Sequence, residues 1–438
     1  MKMLRTLCVA AALATLPALP LHAADLLQVY QDALANDAEL RAAEANYRAV
    51  LEAKPLARSA QLPQISASAE AGNFRSDPED RDSIDGNQYN LSLNLFQSLF
   101  DRRNQIGVTQ ADLQIASAAA DLDATRQELI RRVAEAYFDV LLAGETLTFR
   151  RAEREAIARQ LEQTQRRFEV GLIPITDVKE AQARFDIARA DEITTENELN
   201  LANERLAVIT NTYYDRLAAL KPDAMPPSGP DPEDPEQWVS VALEQNQDLI
   251  ARRLQAEIAR EQISRQRAEG LPTLGLAASI GDTSYSGVSD SPGFVDSSDA
   301  RLGLRLDVPL YTGGRVSALT REAREQFEAA QEGVVLTERQ VVQLTRSSFL
   351  SVVSNAARAN ALRQAVISNQ AALESTEAGF EVGTRTQVDV LLALQELFRA
   401  ERDQAEARYA FLVDRLRLQR AVGSLTEADL QRINQFLE

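Results

Sequence analysis

Cysteine and histidine each occur once in this 438-residue chain, as Cys8 and His22, and both fall within its first 22 residues. Everything downstream therefore lacks a thiol nucleophile, a disulfide, an imidazole base and an N/S ligand set for zinc. Long apolar runs are equally scarce. The one from Leu7 to Leu21 follows Lys2 and Arg5 and leads into His22-Ala23, the pattern of a secretory signal peptide, residues 1–23. Cys8 stands too early in that run for a lipid-anchor site. No later stretch reaches the roughly 18 apolar residues of a membrane-spanning helix. Basic charge is also in deficit. The formal balance is 47 − 65 = −18, or −20 once Lys2 and Arg5 are removed. Such a chain repels nucleic acid and favours cationic partners or the passage of cations.

Proline is absent from Arg102 to Val170 and from Gly314 to Val382, and glycine is sparse there, while Ala, Gln, Glu, Arg and Leu abound. Each stretch predicts one continuous helix, about 100 Å long at 1.5 Å per residue. In the first of them Ile115, Leu122, Leu129 and Ala136 recur every seven residues, and Val133, Val140 and Leu147 form a second series on another flank. Two apolar flanks imply two helical neighbours, as in a wall of helices. Shorter helices are expected at Leu27 to Leu56, Thr176 to Val208, Trp238 to Arg267 and Gln387 to Gln419. Placed end to end in pairs, they match the height of the long ones.

The chain is duplicated. Phe168-Glu-Val-Gly171 with Thr176-Asp177-Val178 returns as Phe380-Glu-Val-Gly383 with Val388-Asp389-Val390, at an offset of 212. Leu62-Pro63 and Leu271-Pro272 match at 209, and the Leu91, Leu93, Leu95 ladder matches Leu302, Leu304, Leu306 at 211. The expected organisation is a first repeat over 24–220, a linker over 221–235 holding six prolines, and a second repeat over 236–438. Gly171 and Gly383 are placed at tight turns needing a left-handed residue.

Period-two alternation marks strands at Ile65 to Ala69, Leu91 to Leu95, Leu274 to Leu276 and Leu302 to Leu306, with polar loops at Asn73 to Gln88 and Gly281 to Ala300. Each repeat thus carries one hairpin. Four strands cannot close a barrel, and an open edge is not tolerated in lipid, so other copies must supply the remainder. A trimer would give a 12-stranded barrel and gather the helices into a tube. The six leucines would face lipid, with Ser92, Asn94, Arg305 and Asp307 inward and Phe96, Phe100 and Tyr311 at an aromatic girdle. Gly313-Gly314 marks the bend from strand to helix, since no Lys-Ser/Thr follows to make a phosphate loop.

Leu27-Gln-Val-Tyr30, Leu62-Pro-Gln64, the Phe168 phrase, Gly281-Asp-Thr-Ser-Tyr-Ser-Gly287, Pro309-Leu-Tyr311 and Val382-Gly-Thr-Arg-Thr386 carry a further signal. In these phrases, in both repeats, the chain resembles the TolC family of outer-membrane efflux and type I secretion channels. The resemblance implies a mainly α fold with β: long antiparallel coiled-coil helices form a trimeric α-barrel through the periplasm, below a trimeric transmembrane β-barrel with four strands per chain. It implies a homotrimer in outer-membrane lipid, a passive duct opened at its periplasmic end by a periplasmic adaptor and an inner-membrane transporter. No enzyme activity, metal or cofactor goes with it. It further implies a periplasmic gate in which Thr176 and Asp177 face Arg385 of the neighbouring coiled coil while Asp389 lines the narrowest point, and adaptor docking at the turns of Gly171 and Gly383. Two departures bear on the gate. Phe380 stands where the family often has Tyr, which removes a hydroxyl link to Asp177, and Leu392 stands where a second Asp is common. Read without the resemblance, Asp177 and Asp389 are carboxylates at helix N-termini. The other readings are a periplasmic coiled-coil adaptor or scaffold, which lacks here its β domains and anchor, and an enzyme using paired carboxylates.

Overall fold

The computed structural model describes residues 23–77, 83–221, 228–288 and 293–438. The signal peptide expected over residues 1–23 lies outside them except for its last residue, and so do the tips of both polar loops. The elements follow one order twice. Helices α1 (Leu26–Asn36), α2 (Ala38–Leu51) and α3 (Ala53–Ser59) lead to strands β1 (Gln64–Ser76) and β2 (Ile84–Phe100), then α4 (Arg102–Glu169) and α5 (Ile175–Thr210). Helices α6 (Pro235–Gln245) and α7 (Gln247–Ala268) lead to β3 (Thr273–Ser286) and β4 (Ser297–Asp307), then α8 (Arg315–Glu381), α9 (Gln387–Val422) and α10 (Glu427–Asn434).

The two long helices run 68 and 67 residues without a break, as their composition dictates. In its first half α4 packs on α2, α3 and α7; in its second half it packs on α5 and α9. That exchange of partners is why it needs apolar residues on both flanks. Leu122, Leu129, Ala136, Val133, Val140 and Leu147 are all buried. The shorter helices are not single pieces. The helix expected over Leu27 to Leu56 breaks at Asp37 and again at Glu52, and that over Trp238 to Arg267 breaks at Asn246. Asp37 and Asn246 are equivalent positions, 209 apart. Each turns to an extended backbone and accepts a hydrogen bond from the N–H three residues on, Leu40 at 2.7 Å and Leu249 at 3.0 Å. Such a side chain competes with the helix interior and starts a new helix instead.

The core lies near the middle of the long helices. Tyr137 and Phe138 of α4, Leu206 of α5, Leu249 of α7, Phe411 of α9 and Leu430 of α10 are almost wholly buried together. Each such Leu contributes about 1.5–3 kcal/mol. The Tyr137 hydroxyl donates to the carbonyl of Ala218 at 2.7 Å, and short bridges join Ala24 to Leu217 and Leu220 to Leu437. Asp414 of α9 accepts from Asn355 of α8 at 2.6 Å and from Arg417 at 3.1 Å, while Arg417 also pairs with Glu135 of α4. Three helices are thus tied at one level. Helix α10 fell outside the expected elements; it is opened by Thr426 and Asp429 in a reciprocal cap and held by Leu430 and Ile433.

The strands form one antiparallel sheet in the order β1-β2-β3-β4. They are longer than the alternation suggests. β1 runs on to Ser76, β2 begins at Ile84, β3 reaches Ser286 and β4 begins at Ser297, so much of each expected loop is paired backbone. Toward that end the alternation of apolar with polar residues fades, and only the ladder of main-chain hydrogen bonds extends the strand.

Candidate functional site: helical tips and open sheet

At the tip of the first coiled coil, α4 is capped by Val170, and Gly171 has φ +76°. Leu172 N–H returns to the Arg167 carbonyl at 2.9 Å and Gly171 N–H to that of Phe168 at 2.8 Å. The second tip repeats this with Gly383 at φ +81°, Thr384 bonding Gly379 at 2.9 Å and Gly383 bonding Phe380 at 3.1 Å. A left-handed residue closing each helix explains why the glycine stands in both copies of the phrase. Beside the glycines, Val170, Leu172 and Val382 stand exposed to 70%, 73% and 75%.

The helices that return from the tips start differently. Thr386 caps α9, and the Asp389 carboxylate accepts from both the Thr386 N–H and hydroxyl, each at 2.8 Å. The Thr386 backbone N–H, then its hydroxyl, hold Asp389 below the usual carboxylate range, and Arg385 adds to this. Pro174 caps α5 and has no side-chain acceptor. Asp177 is therefore left without a reciprocal cap, its carboxylate accepting from the Thr176 hydroxyl at 3.3 Å. Leu392, 47% exposed, lies one turn beyond Asp389.

Between the two coiled coils of one chain, the Arg167 guanidinium stacks over the Phe380 ring, 4.4 Å from its centroid. Farther from the tip, Arg184 of α5 donates to Gln395 of α9 at 3.2 Å. Apolar contact among α4, α5 and α9 is thin, formed by Ile157, Ala188 and Leu391 with Phe185 against them. Beyond it lies a cleft of about 220 Å³ walled by Arg150, Glu153, Asp191, Arg399 and Arg402. The seam at this level is therefore built mainly from polar and charged side chains. Within one chain the structure brings Thr386 to Asp389 and Arg167 to Phe380, and forms no ion pair at Asp177 or Arg385 among the described residues. Arg167, Arg184 and Gln395 were not singled out in the sequence. A signal for Arg167 existed: the repeated phrases agree at Phe168 and Phe380 but differ just before, Arg167 against Gly379.

At the other end, the register places Leu91, Leu93 and Leu95 on the same face as Ala69, Ala67 and Ile65 of β1 and as Ile280 and Ala278 of β3. Leu302, Leu304 and Leu306 of β4 share that face, exposed to 77%, 68% and 64%. Ser92, Asn94, Arg305 and Asp307 lie on the opposite face. Phe96 departs from the expected girdle. It lies on the polar face, above Gly275, where a Cβ would come within 2.7 Å of its ring. Both outer strands, β1 and β4, have an unpaired edge. No helix among the described residues is long and apolar enough to cross a membrane.

A sheet with an apolar face and open edges, set on helices about 100 Å long that end in tight turns, defines a membrane-seated duct rather than a catalytic pocket. Comparison with known proteins agrees. The family model for "Outer membrane efflux protein" matches residues 29–212 and 238–424, once in each repeat. The outer membrane protein TolC of Vibrio cholerae is 39% identical over 440 residues, covering 100% of this chain and 99% of that one. The alkaline protease secretion protein AprF of Pseudomonas aeruginosa is 32% identical over 427 residues, covering 93% and 86%. The crystal structure of the CmeC outer membrane channel of Campylobacter jejuni shares the fold at a TM-score of 0.78 and 16% identity, covering 94% and 90%. The chain belongs to the outer membrane efflux protein family. It is a non-enzymatic channel of the outer membrane, an exit duct for efflux or secretion.

Proposed function

We propose that three copies of this chain close one duct, with a 12-stranded barrel in outer-membrane lipid continuous with a helical tube through the periplasm. The observation that carries this is the four-stranded sheet, unpaired at both edges among the described residues, with six leucines on one face, five of them exposed and Leu95 half-buried. Unpaired edges are not stable in lipid, and further copies satisfy them. The helices ask for the same thing: Ile187, Leu201 and Val208 on α5, and Leu336, Leu344 and Leu350 on α8, are exposed in one chain.

The tips are the regulated end. Asp389 and Leu392 of three copies form an acidic ring backed by an apolar one, and Thr176 and Asp177 meet Arg385 of the adjoining chain, the carboxylate freed from capping being the one offered to the guanidinium. Within each chain, the Arg167–Phe380 stack takes the place of the hydroxyl link that Phe380 cannot make. A periplasmic adaptor docks at the turns of Gly171 and Gly383, where Val170, Leu172 and Val382 offer apolar contacts. The inner-membrane transporter supplies the energy and most of the selectivity. Substrates are small amphipathic compounds, secreted proteins, or both, as the names of the relatives divide between efflux and protease secretion. Deleting the chain from its source cell should raise sensitivity to amphipathic drugs or abolish secretion of specific proteins, each restored by a plasmid copy. Unchanged sensitivity together with an unchanged secreted-protein profile would overturn the reading.

A further inference from the structure

The sheet inverts its polarity along its length. From Ile65 to Ala71 on β1 and from Leu91 to Leu95 on β2 the leucine face is apolar and the other face polar, while on β3 the leucine face turns polar at Asp282, the partner of Leu91. Beyond Tyr89 the strands stay in register with no bulge, yet the leucine face now carries Asn73, Asn87 and Ser286, with Asn87 donating to Ser286 at 3.3 Å. The opposite face carries Phe74 and Tyr285, flanking β2 at Gly86 and Gln88. Their rings meet edge to face at 5.9 Å. Phe294, from the chain entering β4, stacks on Phe74 at 4.6 Å and touches Tyr285 at 5.6 Å. Gly86 leaves the room for this: a Cβ there would lie 2.6 Å from Val288 and 3.1 Å from the Phe74 ring. The Tyr285 N–H is fixed by the Asp296 carboxylate at 2.8 Å, which ties the two sides of the β3–β4 connection together.

We propose that Phe74, Tyr285 and Phe294 form an apolar constriction on the inner side of the outer mouth, which sets the size of what can leave the duct. The inference rests on the reading that the leucine face meets lipid, since that makes the aromatic face the lumen. Where the wall leaves lipid its outside becomes polar, and aromatic side chains on the inside are then shielded from water by one another. In a trimer, three clusters would face each other across the exit and narrow it where a hydrophobic ring opposes wetting.

The absence of cysteine after residue 22 allows a direct test. Ser279→Cys puts a thiol on the lumen face below the cluster, and Ile280→Cys puts one on the leucine face. On intact cells, a small charged thiol reagent should label Ser279→Cys and spare Ile280→Cys, while a polymer-linked maleimide of about 2 kDa should react slowly with Ser279→Cys. Adding Phe74→Ser with Phe294→Ser, or separately Tyr285→Ser, should speed the large reagent by about tenfold and the small one by less than about twofold. Tyr285→Ser keeps the backbone bond to Asp296 and so guards against simple loss of the loop, and a heat-sensitive oligomer band reports assembly of each variant. A large reagent that already reacts fast in the parent, or whose rate neither variant changes, overturns the constriction and leaves the duct standing. Equal labelling of Ser279→Cys and Ile280→Cys by the small reagent overturns the face assignment, and the duct reading with it.

Discussion

Two side chains show how differently buried and exposed groups act here. The Tyr137 phenol is fully buried, and burial pushes its pKa well up, so the hydroxyl stays a neutral donor to the Ala218 carbonyl. Tyr137→Phe leaves that carbonyl without its partner, and the expected loss is about 1–2 kcal/mol, read as earlier urea unfolding. An unchanged midpoint would mean that water replaces the phenol. Asp389 is exposed and held by its cap. Its pKa is depressed in the folded chain, so the stability it lends to the tip is fully present above the ordinary carboxylate range and is lost only as pH falls through the depressed value. Slow amide exchange at Asp389 and Val390, corrected for intrinsic chemistry, should therefore hold from about pH 5 to about pH 8 and be lost in Asp389→Ala at every pH in that range. A rise in exchange between pH 7 and about 5 in the parent chain would show that another group controls this turn. The bland reading of Asp389, a helix-terminal carboxylate, is what one chain displays. A gate role must be compatible with it, because one oxygen can cap while the other faces the axis.

At the scale of elements, the contact to test is the Arg167–Phe380 stack. It is the cross-coil contact nearest the tips, and Phe380 can hold Arg167 only through its ring face. A double-mutant cycle with Arg167→Gln and Phe380→Leu should give a coupling of about 0.5–1 kcal/mol in the closed–open equilibrium, read from open probability in planar bilayers. Each single change should favour opening, and strict additivity would show that the stack plays no part in the proposed gate. Element by element, legibility followed length and periodicity. The long helices α4 and α8 could be read to within a residue or two because some seventy residues in each carry one composition. Asp37 and Asn246 were overlooked because a single capping side chain decides the break, although an Asx before a Leu three residues on is a readable cap. α10 went unread for the same reason, its Thr426-to-Asp429 cap being short and local. The strands were found by their leucines and cut short where their polar residues took over. Of the tip, Asp389 and Gly383 were legible as local motifs, whereas Arg167 and Gln395 matter only through helices that the fold brings together from more than 200 residues apart.

For the whole molecule, one chain is an incomplete object. Among the described residues its sheet has two free edges, most of its strand leucines are exposed, and apolar side chains on α5 and α8 stay uncovered. The core around Tyr137, Phe411 and Leu430 holds the helices together at mid-height, away from both the tips and the sheet. Under the gating proposed above, this division would keep the duct rigid at its waist and confine opening to its inner end. Light scattering on the detergent-extracted particle, with the detergent contribution subtracted, tests this most directly. The expected result is a protein mass of three chains that dissociates only on heating; a mass of one chain, or a stable particle that needs no detergent to stay dispersed, would rule out the trimeric duct.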